Sequence, residues 1–172
     1  NSDFFKESMY QKVKSPAEVV VGTFRLTRDL QGPDPRLTAL GQESAYMGQS
    51  LLDPPSVEGW QTGRGWLNSG SVVKRINFVA DRVSNIELPG VQSIIARGAS
   101  GGNTTTPEAL VDRCLDLMGP VEVSETTRRE LTSHAEEEGA MSWATDEEFA
   151  TSSRRVGDML ALIGATTDYQ FG

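Results

Sequence analysis

A repeated helix-start signal constrains the fold of this chain more than any other feature of its sequence. A capping side chain stands directly before a proline at the start of three predicted helices: Ser15-Pro16, Asp34-Pro35 and Thr106-Pro107. Such pairs are typical of the first turn of a helix, and apolar residues at helical spacing follow each of them. Thr145 with Glu148 forms a capping box before a further apolar stripe. Because no segment alternates between apolar and polar residues as a strand would, the sequence predicts an all-α protein, an irregular bundle of about six helices with a long Pro/Gly/Trp loop.

The chain divides into three segments of different composition. Residues 1–85 are predicted to form a helical half that carries the tryptophan loop, and residues 106–172 an acidic helical half that packs on the first within one domain. Between them, residues 86–105 end in a run rich in Gly, Ser and Thr. This middle segment is predicted to be a loop or a flexible linker.

Acidic side chains are concentrated in the second part of the chain. Residues 79–172 carry 7 basic and 16 acidic side chains, whereas residues 1–78 carry 9 and 8. Nucleic acids and anionic membranes both need a basic footprint, so neither is expected as a partner. Membrane insertion is not expected either, because no apolar run approaches the ~20 residues that cross a bilayer.

The chain has few residues that could perform chemistry. Cys114 is the only cysteine and lies at a core-like position, while His134 is the only histidine and lies in a polar helical stretch. One residue of each kind cannot form a disulfide or a closed zinc site, and nothing near His134 suggests a nucleophile and base pair. The acidic runs at 136–138 and 146–148 are interpreted as a solvated helix face and a helix N-terminus. The sequence therefore predicts no catalytic residue, no metal and no cofactor.

The loop DPPSVEGWQTGRGWLN between the second and third predicted helices is the strongest candidate for a site. Its tryptophans either fill a gap in the core, as a structural clasp with at least one ring mostly buried, or form an exposed aromatic platform. Glu18 and Arg75 form either an interior ion pair between the first and third helices or a functional pair in a cleft. Arg75 and Asn77 are also placed to satisfy loop carbonyls. The candidate binding residues are Glu18, Trp60, Arg64, Trp66, Asn68, Arg75 and Asn77.

Several motifs of this chain recur together in one bacterial family. The segments concerned are KSPAEVVVGTFR, MGQSLLDPPSVEGW, GRGWLNSGSVVKRINF and the closing LALIGATTDYQFG. The matching positions are Lys14, Ser15, Pro16, Glu18, Gly48, Gln49, Pro54, Pro55, Gly59, Trp60, Trp66, Asn68, Arg75, Asn77 and Phe78. Leu52 departs from the pattern, since phenylalanine is common there. On these motifs the chain resembles the family catalogued as domain of unknown function 1800, specifically over residues 10–83, more weakly over 106–172 and not over 86–105.

The resemblance implies a context but no reaction. It suggests that the chain is the C-terminal part of a longer bacterial protein that is exported to the periplasm, the cell surface or the medium. Its partner would then be the missing N-terminal part of the same protein or another exported protein. No activity is established for the family as a whole.

Three classes of function remain open at this point. The first is a non-catalytic helical module that packs against a further polypeptide. The second is a module that binds a ligand or glycan through the loop of Trp60 and Trp66, with Arg64 and Asn68 beside the rings. The third is part of an enzyme whose catalytic groups lie upstream. The exposure of the tryptophan rings separates the first two classes.

Overall fold

Eight α-helices account for most of the residues that the computed structural model describes, 12–30, 32–119 and 121–171. They are α1 (Pro16–Thr27), α2 (Leu37–Tyr46), α3 (Ser69–Val83), α4 (Pro89–Ala99), α5 (Pro107–Leu117), α6 (Glu125–Glu137), α7 (Asp146–Ala165) and α8 (Thr167–Gln170). A short 3-10 turn spans Gly63–Trp66, and two-residue strands, β1 (Thr104–Thr105) and β2 (Met141–Ser142), pair antiparallel. The predicted all-α bundle is confirmed. It contains two more helices than expected, α4 and the single turn α8. None of the described helices is both long and apolar enough to serve as a transmembrane span.

The predicted caps explain where three of the helices begin, but the start predicted at Asp34-Pro35 is wrong: α2 begins at Leu37, after Arg36, without a side-chain cap. Ser15 and Glu18 form a capping box at the start of α1, with Pro16 at its first position. Thr145 and Glu148 do the same for α7, and the Thr106 hydroxyl accepts from the Ala109 backbone N–H. Each such cap satisfies backbone N–H groups that lack a partner within the helix, and losing one costs about 0.5–2 kcal/mol.

The core lies between α3 and α7, the longest two helices. Val79 and Val83 of α3 and Leu160 and Ile163 of α7 are completely buried. The helices approach closely because Gly164 lacks a side chain: a Cβ atom there would lie 2.5 Å from the Cγ1 atom of Val79. This pair of helices therefore joins the first and last parts of the described chain.

A second close approach joins α1 to α4. Gly90, in the first turn of α4, is buried, and a Cβ atom at this position would lie 2.0 Å from the backbone oxygen of Leu26. The neighbour is main chain, which cannot move aside by changing rotamer. Only glycine therefore fits at this contact.

The prediction of a loop over residues 86–105 is wrong for Pro89–Ala99, which form α4. No side chain caps this helix, and glycines at 90 and 98 weaken its intrinsic helical preference. Its stability comes from packing, since Val91, Ile94 and Ile95 are buried. Further along the segment, Thr104–Thr105 pair with Met141–Ser142, and Arg113 Nη1 donates to the Gly98 carbonyl at 2.7 Å.

Two helix boundaries lie beside the tryptophan loop. The helical spacing of Leu37, Leu40, Ser44, Met47 and Leu51 predicts a second helix as far as Leu51, but α2 ends at Tyr46 and the following Gly48 has φ +100°. Leu51 is half exposed. The third helix begins at Ser69, because Asn68 caps it through the Ser71 backbone N–H.

Candidate functional site

A groove of about 380 Å³ lies between the tryptophan loop and the start of α1. Its lining comes from the residues just before α1, from α1 itself, from the segment after α2 and from the tryptophan loop. These residues are Lys12, Val13, Ser15, Glu18, Gln49, Trp60, Gln61, Thr62, Gly63 and Trp66. The groove brings together three of the predicted site residues, Glu18, Trp60 and Trp66.

The two loop tryptophans have different environments. Trp66 is 6% exposed, so the prediction that at least one ring is mostly buried is confirmed. Trp60 is only partly buried, and its Nε1–H donates to the Ser50 carbonyl at 3.1 Å. This hydrogen bond fixes the ring of Trp60 at the wall of the groove. The pair is therefore neither wholly buried in the core nor a fully exposed aromatic platform, since Trp66 is buried and Trp60 is partly exposed.

Glu18 and Asn68 are both helix caps. Glu18 accepts from the Ser15 backbone N–H at 2.7 Å and pairs with Lys12 at the rim of the groove. Burial alone would raise the pKa of Glu18, but the hydrogen bonds from Lys12 and Ser15 outweigh it and hold that pKa below its ordinary value. Asn68, exposed, accepts from Ser71 as the N-cap of α3. Arg64 and Asn77 are exposed and do not line the groove.

The expected ion pair between Glu18 and Arg75 is not formed. Glu18 pairs with Lys12 instead, and no carboxylate of the described residues lies within salt-bridge distance of Arg75. The two charges still act on each other at longer range, because Glu18 raises the pKa of Arg75 while burial lowers it more. The reason is positional: the N-cap of α1 draws the Glu18 carboxylate back towards Ser15.

Arg75 instead ties together the two ends of the described chain. Its side chain is completely buried. Its Nε donates to Gln170 Oε1 at 3.0 Å and its Nη2 to the Lys14 carbonyl at 2.5 Å. These contacts replace the loop carbonyls that the sequence led us to expect. Nη1 is buried and has no hydrogen-bond partner among the described residues.

Lys14 lies beside this guanidinium and is itself half-buried. Its Nζ donates to the Tyr169 carbonyl at 2.6 Å and lies 4.1 Å from the centroid of the Tyr169 ring. Burial, and then the positive charge of Arg75, lower the pKa of Lys14, and Glu18 partly offsets them. The backbone N–H of Lys14 also donates to the Gln170 carbonyl at 3.0 Å.

Sequence reasoning missed the part played by Lys12 and Gln170. Gln170 accepts from Arg75 and donates from Nε2 to the Gly164 carbonyl at 3.0 Å. The motif comparison drew attention to Lys14, Gln49 and the Tyr/Phe-Gln tail, but it assigned them no role. Arg75 and Gln170 lie 95 residues apart, and Lys14 and Tyr169 lie 155 residues apart. Such pairs carry no local signal of contact, so only the folded chain reveals them.

The remaining reactive side chains do not form a catalytic set. Burial raises the pKa of the Cys114 thiol to about 12, which keeps it protonated and unreactive. His134 is exposed on α6. In the described ranges no three His, Cys, Asp or Glu side chains converge in a way that could hold a metal ion.

These features define a class of protein: an all-α domain in which a tryptophan loop lies over the start of one helix, and a buried arginine joins that region to the chain's last residues. The family model described as "Protein of unknown function (DUF1800)" matches residues 1–171, and the chain belongs to this family. Searches of curated proteins and of solved structures found no match.

Proposed function

We propose that this chain is a non-catalytic helical module of a larger, exported bacterial protein, and that its first helices and residues 50–59 of the tryptophan loop pack against the preceding part of that protein, leaving the groove beside Trp60 open. The domain supplies a surface for assembly, and any chemistry would reside elsewhere. The proposal does not depend on the absence of a catalytic set among the described residues.

The observation that carries the proposal is the apolar surface of the first part of the chain. Most of the exposed large apolar side chains lie within residues 21–73, and Leu52 and Val57 are 96% and 106% exposed. These exposed side chains are Val21, Leu37, Tyr46, Leu51, Leu52, Val57 and Val73. A contiguous exposed apolar patch commonly marks a protein–protein contact, and Leu51, Leu52 and Val57 follow one another closely in the loop.

Leu52 adds a second argument from its backbone. Its φ is +65°, in the left-handed region that costs a residue with a side chain about 1–2 kcal/mol. A leucine that is both strained and fully exposed gains nothing within this domain. A covering partner would give that side chain a buried contact and offset the strain.

Amide hydrogen exchange tests the proposal directly. The chain alone and the full-length product of its gene would be compared, with α7 as the internal reference because its apolar side is buried in both. We expect the amides of residues 50–59 to exchange more slowly in the full-length protein, while those around Leu160 stay unchanged. Equal exchange rates at residues 50–59 in the two proteins would reject the packing role.

A double substitution tests the packing role independently. Leu52→Ser with Val57→Ser should leave the melting temperature of the chain alone unchanged, because both side chains are already in water. In the full-length protein the same change should lower the stability of the assembled state. Loss of stability in both proteins would mean that these side chains serve the domain itself.

A further inference from the structure

The groove beside Trp60 has the composition of a site for a polyhydroxylated ligand. Beside the apolar surface of the two indole rings and Val13, its lining carries the amides of Gln49 and Gln61 and the hydroxyl of Thr62. Its volume of about 380 Å³ lies within the range of small-molecule pockets, about 300–1,000 Å³. Such a lining offers both donors and acceptors around an aromatic face.

The groove is also held in place before any ligand arrives. The ring of Trp60 is fixed by its hydrogen bond to Ser50, and Gln49 Oε1 accepts from the Ala17 backbone N–H at 2.9 Å. The side chains of Gln61 and Thr62 are exposed at its edge. A rigid ring with accessible polar groups beside it binds a ligand without a large ordering cost.

The surroundings of the groove carry an excess of positive charge. Lys12 lines it, and Lys14 and Arg75 are near enough for their charges to interact with that of Glu18, which also lines it. Glu18 is the one carboxylate in this group and is already paired with Lys12. The buried Nη1 of Arg75 has no acceptor among the described residues. A local positive site on a chain of net charge −8 attracts anions.

We propose that this groove binds an acidic carbohydrate, a sugar that carries a carboxylate. The exposed face of Trp60 packs against the sugar ring, and Gln61, Thr62 and Gln49 hydrogen-bond its hydroxyls. The field of Lys12, Lys14 and Arg75 orients the carboxylate towards the start of α1. An acidic peptide fits less well, because it would leave the amides of Gln49 and Gln61 and the hydroxyl of Thr62 without the hydroxyl partners that a sugar ring supplies.

Titration with two matched pairs of sugars tests this proposal. The probes are a tetramer of galacturonic acid with the corresponding galactose tetramer, and sialyllactose with lactose. We expect at least one acidic member to bind saturably below about 5 mM by calorimetry, at least about five-fold tighter than its neutral twin, and more weakly as salt rises. Failure of both acidic sugars to bind, or equal binding of the neutral twins, would overturn the proposal.

Variants locate the binding in the groove. Trp60→Ala should weaken binding by about thirty-fold, the effect of removing a dominant aromatic contact. Gln61→Ala and Thr62→Ala change exposed side chains, so they should fold normally and weaken binding several-fold. If these two variants bind like the parent, the site is not this groove.

A pair of lysine substitutions tests the electrostatic part. Lys12→Gln removes a charge from the groove and should weaken binding by about two- to five-fold, as expected for a partly exposed charge. Lys74→Gln removes the same charge from the exposed side of α3 and should leave the affinity unchanged. Equal effects of the two changes, or stronger competition by a poly-glutamate peptide than by the acidic sugar, would contradict the proposal.

Discussion

The two parts of the described chain use their apolar residues in different ways. Before residue 86, eight hydrophobic side chains are buried and seven large ones are exposed; after it, sixteen are buried and two large ones are exposed. Helix α2 shows the contrast most clearly, since Ser44 is its only fully buried residue, whereas α7 buries eight. The later part forms most of the interior of the domain. The earlier part packs on it with one side and exposes apolar side chains on another.

This difference shows what each part is built to contact. In α7, one side of the helix packs on α3 and its small residues permit a short distance between the axes. In the first part, α1 is held at both ends, by its capping box and by the approach to Gly90, but α2 and the loop present apolar side chains to solvent. The substitutions below test the contrast, from the largest expected effect to the smallest.

Trp66→Ala should have the largest effect, because it removes the largest ring that the first part buries. Truncating a buried tryptophan costs about 3–5 kcal/mol of unfolding free energy, a large share of the 5–15 kcal/mol of a typical domain. Trp60→Ala, at a partly exposed ring, should cost clearly less. Urea denaturation of both variants would measure the difference, and equal losses would mean that the two rings share one structural role.

Leu160→Ala probes the interior of the later part. Leu160 is 0% exposed, and the cavity left by its truncation should cost about 2–5 kcal/mol. Leu162→Ala on the same helix is the control, because that side chain is 37% exposed and should cost about 1 kcal/mol or less. A similar loss in both variants would show that α7 is not the central helix.

Gly90→Ala tests the contact between the two parts. The new methyl group would collide with the backbone of α1 near Leu26, so we expect a loss of about 1–3 kcal/mol. Gly22→Ala is the matched change in α1, where a Cβ atom meets nothing within 4 Å, and it should raise stability by up to about 1 kcal/mol. Thermal melts that move in the same direction would refute the close approach.

Leu52→Gly should give the smallest change, and it should be favourable. Glycine removes the strain of φ +65° but adds freedom to the unfolded chain, so the net gain is up to about 1 kcal/mol. Leu51→Gly, at a neighbouring position without positive φ, should not gain. A loss of stability on Leu52→Gly in the chain alone would show that the leucine side chain already has a partner within the domain.

The sequence predicted the helix starts better than the helix partners. Caps such as Ser15 and Thr145 act within one turn, so their chemistry can be read locally, and the corresponding starts are confirmed. The helix at Pro89–Ala99 was missed because it has no side-chain cap and is stabilised by distant contacts such as that of Gly90 with α1. Local signals cannot report such packing.

The candidate site shows the same limit. Burial of one tryptophan could be predicted from the need to fill a corner between helices, and Trp66 confirms it. The pairing of Glu18 with Arg75 could not be decided from spacing, because two neighbouring groups compete for each side chain. Glu18 pairs with Lys12 and accepts a hydrogen bond from the Ser15 backbone N–H. Arg75 donates to Gln170 and to the Lys14 carbonyl.

The backbone bridge between Val13 and Phe171 gives the domain a nearly closed circuit. Residues separated by almost the whole chain are neighbours in space, so a short linker between them would leave the helix packing intact, and new ends opened in the exposed Gly101–Gly102 turn would give a circular permutant with the same fold. For the same reason, a mechanical pull applied at Val13 and Phe171 would first load the hydrogen bonds among Lys14, Gln170 and Arg75 and reach the α3–α7 core only after they break.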